Sequence, residues 1–377
     1  MKVAVTILAF CVAALLTLGM VMLYSSSMTK DGAHLLVMQL IWCALGLTLC
    51  VGATSVDYRL LKTLAWPLFA LALILLVLVL FPIPHVVRRI NGACRWFDFH
   101  GVRFQPSEFA KIALIVALAW YCERFLRQMS SWKKGILIPG LFIGVTLCLI
   151  LREPDLGSTL LLAAVGGTML LIAGARWKHI IPTGLVALAG LGLWLWHDSM
   201  RSGRINSWLH LEAHKSAGGY QAYQAMIALG SGGWTGVGLG DSTQKFGFIP
   251  EHHTDFILPI IGEELGLIAT LLIVAAFIAI VICGVSIAKH SRDTFGMLLG
   301  SGVTFLIGLQ ALINIGVATS ALPNKGLPLP FISYGGSNLV AMLTCVGILF
   351  SIARQSRVPE RETVEIEGAE VPSPQLT

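Results

Sequence analysis

The chain has 377 residues, 56% of them hydrophobic and 12% charged, with a mean hydropathy of +0.79 and a formal net charge of +6. So apolar a composition excludes a water-soluble globule and places the chain among polytopic helical membrane proteins. A transmembrane strand barrel is excluded because the apolar runs are continuous instead of alternating. Runs long enough to cross a hydrocarbon core of about 30 Å fall at 3–24, 34–53, 61–81, 107–122, 135–151, 158–174, 178–197, 256–286, 295–319 and 334–353. The predicted fold is therefore an all-α polytopic membrane protein with ten transmembrane helices. These make one membrane domain over 1–355, with a large loop at 198–255 between helices 7 and 8 and a polar, disordered tail at 356–377.

The first run follows Met1-Lys2 and has the look of a signal peptide. Its downstream flank Leu23-Tyr24-Ser25-Ser26-Ser27 offers no Ala-x-Ala-like cleavage site, so it reads as a retained span. With the N-terminus inside, the inner side collects fourteen basic residues: Lys2, Arg59, Lys62, Arg124, Arg127, Lys133, Lys134, Arg176, Lys178, Lys289, Arg292, Arg354, Arg357 and Arg361. The outer side holds eleven: Lys30, Arg88, Arg89, Arg95, Arg103, Arg152, Arg201, Arg204, Lys215, Lys245 and Lys325. This excess predicts cytoplasmic termini and an extracytoplasmic 198–255 loop. Outer basics at 88–103 and 201–215 sit where topology favours none, which suits an anionic lipid-linked ligand such as a diphosphate. For Lys215 and Lys245, contact with anionic headgroups in general is the simpler reading. Nucleic acid is not expected as a partner, since these basics face away from the cytoplasm. Seven of the eight cysteines fall in or beside spans and only Cys94 is external, so no structural disulfide or cysteine metal site is expected.

Two outer loops are long enough to carry structure. In the first, about 82–105, Trp96, Phe97, Phe99 and Phe104 among arginines suggest a segment lying along the membrane interface. The second, 198–255, lacks an apolar core of its own and should settle against the membrane domain or a partner, or stay mobile. Its run Gly230-Ser231-Gly232-Gly233-Trp234-Thr235-Gly236-Val237-Gly238-Leu239-Gly240 has no strand before it, so a nucleotide-binding reading fails. Tight turning and close backbone approach explain it better.

Ionisable groups at or inside a span are costly and so are functional candidates. Pro250-Glu251-His252-His253-Thr254-Asp255-Phe256 places two acids and two imidazoles just before the eighth run. Asp255 is the leading candidate, although an aspartate there also suits an N-cap. A divalent cation, Mg²⁺ or Mn²⁺, could draw on His252, His253 and Asp255, but adjacent histidines in a loop are more often plain polar residues. Glu108 and Lys111, three apart on the fourth helix, share a face and can pair. Glu263 and Glu264 lie about 12 Å along the eighth helix from Asp255, where an unpaired carboxylate would take up a proton.

Four blocks carry a resemblance: Arg95-Trp96 with Gln105-Pro106-Ser107-Glu108 and Lys111; Glu153-Pro154-Asp155-Leu156-Gly157-Ser158; His253-Thr254-Asp255-Phe256 with Gly262-Glu263-Glu264-Leu265-Gly266; and Leu322-Pro323-Asn324-Lys325-Gly326-Leu327-Pro328-Leu329-Pro330-Phe331-Ile332-Ser333-Tyr334-Gly335-Gly336-Ser337. In order and spacing they resemble the signature blocks of the bacterial SEDS family of shape, elongation, division and sporulation proteins, over nearly the whole chain. Lys325-Gly326 is more similar to the division branch than to the rod-elongation branch. Cys94 and Phe97-Asp98-Phe99-His100 depart from the usual first-loop pattern.

The resemblance implies a peptidoglycan glycosyltransferase that polymerises lipid II, the undecaprenyl-pyrophosphate-linked disaccharide-pentapeptide, at the outer face of the cytoplasmic membrane during septal wall synthesis. It implies Asp255 as general base, and substrate contacts among Arg95, Trp96, Glu108, Lys111, Arg152, Asp155, His253, Thr254, Lys325, Ser333, Tyr334, Gly335, Gly336 and Ser337. No tightly bound cofactor is implied. The expected partners are a class B penicillin-binding protein and other division proteins. A lipid II flippase with a path through Glu108, Lys111, Glu263 and Glu264, an elongation-type polymerase and a non-catalytic scaffold are the alternatives.

Overall fold

The computed structural model describes residues 1–27, 34–82, 86–87, 94–99, 102–197, 203, 206–213, 215, 219–246, 253–324 and 326–356. All ten predicted runs are helical. They form α1 (Lys2–Ser27), α2 (His34–Ser55), α3 (Leu60–Val79), α4 (Pro106–Arg124), α5 (Ile138–Arg152), α6 (Leu156–Ile172), α7 (Trp177–His197), α9 (Ile257–Lys289), α10 (Thr294–Ala318) and α11 (Gly336–Gln355). A further helix, α8 (Tyr220–Ser231), lies in the large loop. Among the described residues seven helical segments are long and apolar enough to cross a membrane, which makes this a multi-pass membrane protein. The two that pass neither as full nor as short apolar spans include α4, whose Glu108, Lys111, Glu123 and Arg124 dilute its apolar character.

Those charges are affordable because α4 is the hub. Most of its side chains are buried, and it packs against α3, α5, α6, α10 and α11. Around it α2 pairs with α11, and α1 and α10 flank α9. Lipid-facing helices such as α2 and α3 show the opposite pattern, with exposed apolar side chains including Leu40, Ile41, Val51, Leu71 and Ile74. In a bilayer that surface is solvated by hydrocarbon, so exposure there carries no penalty.

Two expectations need correction, the strictly all-α fold and the unbroken eighth run. In the first loop Phe97–Phe99 (β1) and Val102–Phe104 (β2) make an antiparallel pair, with Phe97 opposite Phe104. Phe97 is buried with Val79 and Val87, so burying an aromatic outweighs laying it on the surface, and the fold is not strictly all-α. The eighth run is not one straight helix. α9 breaks at Gly266, whose φ of 79° and ψ of −174° are non-helical. The large loop does settle on the membrane domain, through α8 against α9 and α10, but it brings its own helix to do so. Assignments at Arg88, Arg89, Arg201, Arg204, His252, Lys325 and the 357–377 tail lie outside the described residues.

Candidate active site

The four sequence blocks converge at one end of the bundle. Arg95 donates from Nε to the Glu153 carbonyl at 2.6 Å and from a terminal nitrogen to the Pro154 carbonyl at 2.8 Å, joining the first block to the second. Its guanidinium also lies 5.9 Å from the Trp96 ring centroid. The Gln105 N–H donates to Ser337 Oγ at 3.0 Å, and that hydroxyl donates to the Arg103 carbonyl at 3.1 Å, so the starts of α4 and α11 are tied. Leu327 packs directly over Gly157, bringing the second block to the fourth. The Tyr334 N–H donates to the His253 carbonyl at 2.9 Å and the two rings meet edge to face, which joins the third block to the fourth.

Asp255 lies beside the His253–Tyr334 contact, half-buried, two residues before α9. It is not the N-cap of α9; Phe256 holds that position. A Cβ on Gly326 would stand 2.9 Å from Asp255 Oδ2, so the missing side chain lets the 322–337 loop run close to the carboxylate without displacing it. The Asp255 carbonyl accepts from Asn314 Nδ2 at 3.0 Å, and the same amide donates to the Leu327 carbonyl at 2.7 Å. One side chain of α10 thus holds both loops that flank the acid.

Below this lies a buried polar chain. Lys111 Nζ is 2.8 Å from Glu108 Oε1, and both side chains are almost wholly buried. Lys111 also donates to Gln310 Oε1 at 3.2 Å. Gln310 Nε2 in turn donates to the Pro328 carbonyl at 2.9 Å and to Asn338 Oδ1 at 2.8 Å. The predicted Glu108–Lys111 pair is therefore present, and its lysine is engaged inside the bundle. Gln310, Asn314 and Asn338 were not singled out by sequence reasoning. They are isolated amides on apolar helices, and only their wholesale burial marks them.

The remaining predicted contacts divide. Asp155 N-caps α6, its Oδ1 accepting from the Ser158 N–H at 2.9 Å. Arg152 is exposed, while the adjacent Glu153 is fully buried with neither carboxylate oxygen hydrogen-bonded. Burial pushes the Glu153 carboxyl up to about 9, with Asp155 adding to the rise and Arg95 opposing it. Ser333 accepts from the Leu329 N–H at 2.8 Å, and its carbonyl accepts from Gln39 Nε2 at 3.2 Å. The Gly335 N–H donates to Gln39 Oε1, and Gly336 lies against the Trp42 indole. Ser333, Gly335, Gly336 and Ser337 thus shape the loop over the site, while Thr254 and Tyr334 stand half-buried beside Asp255 and His253. Among the described residues no group of three or more His, Cys, Asp or Glu side chains could hold a metal ion. His253 and Asp255 form no such group with their described neighbours, and His252 lies outside the described residues.

The Glu263 and Glu264 carboxylates are both partnered, which fits the structural role the sequence left open. Glu263 accepts from the Thr243 N–H at 3.0 Å, from Thr243 Oγ1 at 2.9 Å and from the Ser242 hydroxyl. Glu264 accepts from Ser25 Oγ at 2.8 Å and pairs with Lys245 Nζ at 3.0 Å. Lys245 is therefore no headgroup ligand; it is 3% exposed and belongs to the interior. Lys215 lies 6.0 Å from the Tyr223 ring centroid of α8.

A helical membrane bundle with a half-buried acid at the start of a broken span, roofed by two tied loops, defines a multi-pass protein with its polar site at one membrane-facing end. Residues 6–358 match the FtsW/RodA/SpoVE family described as "Cell cycle protein", and the chain belongs to that family. It is 41% identical over 356 residues to the probable peptidoglycan glycosyltransferase FtsW of Trichlorobacter lovleyi, covering 92% of each chain. To the stage V sporulation protein E of Bacillus subtilis it is 37% identical, covering 91% of this chain and 95% of that one. Among solved structures, it resembles a chain of a peptidoglycan synthase complex that coordinates polymerisation with crosslinking. The TM-score is 0.77 at 30% identity, with 93% and 97% of the two chains covered. It also resembles Thermus thermophilus RodA, with a TM-score of 0.70 at 29% identity and 93% and 97% coverage.

Proposed function

We propose that this chain is a peptidoglycan glycosyltransferase that polymerises lipid II at the outer face of the cytoplasmic membrane, in septal wall synthesis. The observation that carries the reading is the joining of all four blocks at one end of the bundle, with Gly326 of the fourth block against the Asp255 carboxylate of the third. The relatives named as probable peptidoglycan glycosyltransferases support the reaction class. In this reading all ten predicted runs span the bilayer, both termini are cytoplasmic and the site faces outward. The ion pairs Lys62–Glu123 and Arg59–Asp293 at the opposite end of the bundle are consistent with a cytoplasmic side rich in basic residues.

The reaction requires an acceptor sugar hydroxyl to attack the anomeric carbon of a donor sugar while its diphosphate leaves. Asp255 takes the hydroxyl proton as the new glycosidic bond forms, and such a base contributes about 10²–10⁴-fold. Gly326 keeps the carboxylate approachable, and Asn314 fixes its main chain. Arg95, half-buried with its guanidinium 5.9 Å from the Trp96 ring centroid, is assigned to the departing phosphates. Arg152 and Lys325 are assigned the same role, and Lys111 acts indirectly by holding Gln310 beneath the loop. Any Mg²⁺ or Mn²⁺ requirement is assigned to the substrate's diphosphate and not to a protein cage.

A class B penicillin-binding protein is the proposed partner for crosslinking, supported by the likeness to a synthase complex. Purified protein with labelled lipid II tests the activity. Polymer chains are expected, transbilayer movement without polymer would establish a flippase, and neither would leave a scaffold.

A further inference from the structure

The break in α9 is built around the glycine-rich loop. In a continuous helix the Leu267 and Ile268 N–H groups would donate to the Glu263 and Glu264 carbonyls. Here they donate to the Gly233 carbonyl at 2.9 Å and the Trp234 carbonyl at 3.2 Å, while the Val237 and Gly238 N–H groups take the vacated Glu263 and Glu264 carbonyls at 2.9 Å and 3.1 Å. Two intrahelical bonds are exchanged for four to an inserted segment, so these two N–H groups and two carbonyls of the helix all stay hydrogen-bonded. The exchange severs the helical ladder, and the half-helix 257–265 that begins beside Asp255 no longer takes its direction from the long half 267–289.

A buried ion pair anchors the far end of the half-helix, next to the Glu263 contacts with Ser242 and Thr243. Lys245 Nζ contacts Glu264 Oε1 at 3.0 Å, Ser25 Oγ at 3.3 Å and the Gly240 carbonyl. Glu264 also accepts from Ser25, which places the end of α1, the glycine-rich loop and the half-helix on one buried ion pair. A pair this buried costs desolvation on both sides, and its best-attested use is to fix one arrangement over others.

We propose that Lys245 and Glu264 are positioning residues for Asp255: they set the direction of the half-helix, and through it the place of the carboxylate, without touching substrate. The inference rests on the reading of Asp255 as general base. Asn314 holds the Asp255 carbonyl from the other side, so the acid is fixed between two independent anchors.

The test uses the purified full-length chain with lipid II, measuring kcat, KM and amide hydrogen exchange together. Lys245→Met keeps the stem and removes the charge; Glu264→Gln keeps the shape and the Ser25 contact. Both are expected to lower kcat at least tenfold with KM within twofold, and to speed exchange at 257–268 about tenfold with α4 and α11 unchanged. Lys245→Arg is expected to recover at least half the activity. Unchanged exchange at 257–268, or faster exchange throughout α4, α10 and α11, would overturn the proposal, the second outcome showing a general structural role. Asp255→Asn run in parallel separates the two readings. Full activity in that variant defeats the general-base reading, whereas the exchange result reports on the half-helix whatever Asp255 does.

Discussion

At the scale of single residues, the site depends on acids held in three different states. Asp255→Asn keeps size and hydrogen-bonding shape but cannot take a proton, so polymerisation by the purified variant should fall by about 10²–10⁴-fold while membrane insertion is unchanged. Lys111→Ala leaves Glu108 buried and alone, at a cost of about 3–5 kcal/mol. The double variant with Glu108→Ala should regain part of that in thermal unfolding. Glu153 is the third state. Its folded carboxyl keeps a proton up to about pH 9, whereas the unfolded chain loses it near 4.5. Between those values the folded form binds more protons, so stability falls as pH rises, by about 1.4 kcal/mol per unit. Unfolding of detergent-solubilised protein from pH 5 to 9 should show that slope, and Glu153→Gln should flatten it. Asp255 and the Glu108–Lys111 pair were readable in the sequence because their positions and spacing declare them. Asn314 and Gln310 were not, because a lone amide in an apolar run has no partner to be spaced from.

At the scale of elements, all ten helical runs were legible from continuous hydropathy alone, whereas the break within α9 was not. Apolar residues continue on both sides of Gly266, and nothing in their pattern distinguishes a straight helix from two halves. The same omission explains the misreading of Lys245. Its partner Glu264 is 19 residues away in sequence, and the two meet only because the loop folds back into the break. The glycine-rich run was read correctly as a close backbone approach, with its target unidentified. Gly266 has a positive φ, and a Cβ there would collide with the main chain of Trp234 and Gly236. Gly266→Ala should therefore cost roughly 1–3 kcal/mol through strain, with additional loss from the collision. Its melting temperature should drop more than that of Gly167→Ala in α6, where a Cβ meets nothing within 4 Å.

At the scale of the whole molecule, the large loop is part of the membrane domain, because α8 and residues 232–246 are anchored on α9 and α1. A bound class B penicillin-binding protein would act on a loop already connected to Asp255. Adding the partner should raise polymerisation and slow amide exchange over 219–246, consistent with a coupling of about 1–3 kcal/mol. Unchanged rates and exchange would remove the loop from that coupling. The joint at Gly266 is closed by backbone hydrogen bonds. Its four bonds are made by main-chain atoms, so the seam places no demand on the side chains of Trp234, Val237 and Leu239, all of which are exposed. Those three positions can drift toward whatever lipid or neighbouring protein a particular cell presents, while the seam beneath them keeps its geometry.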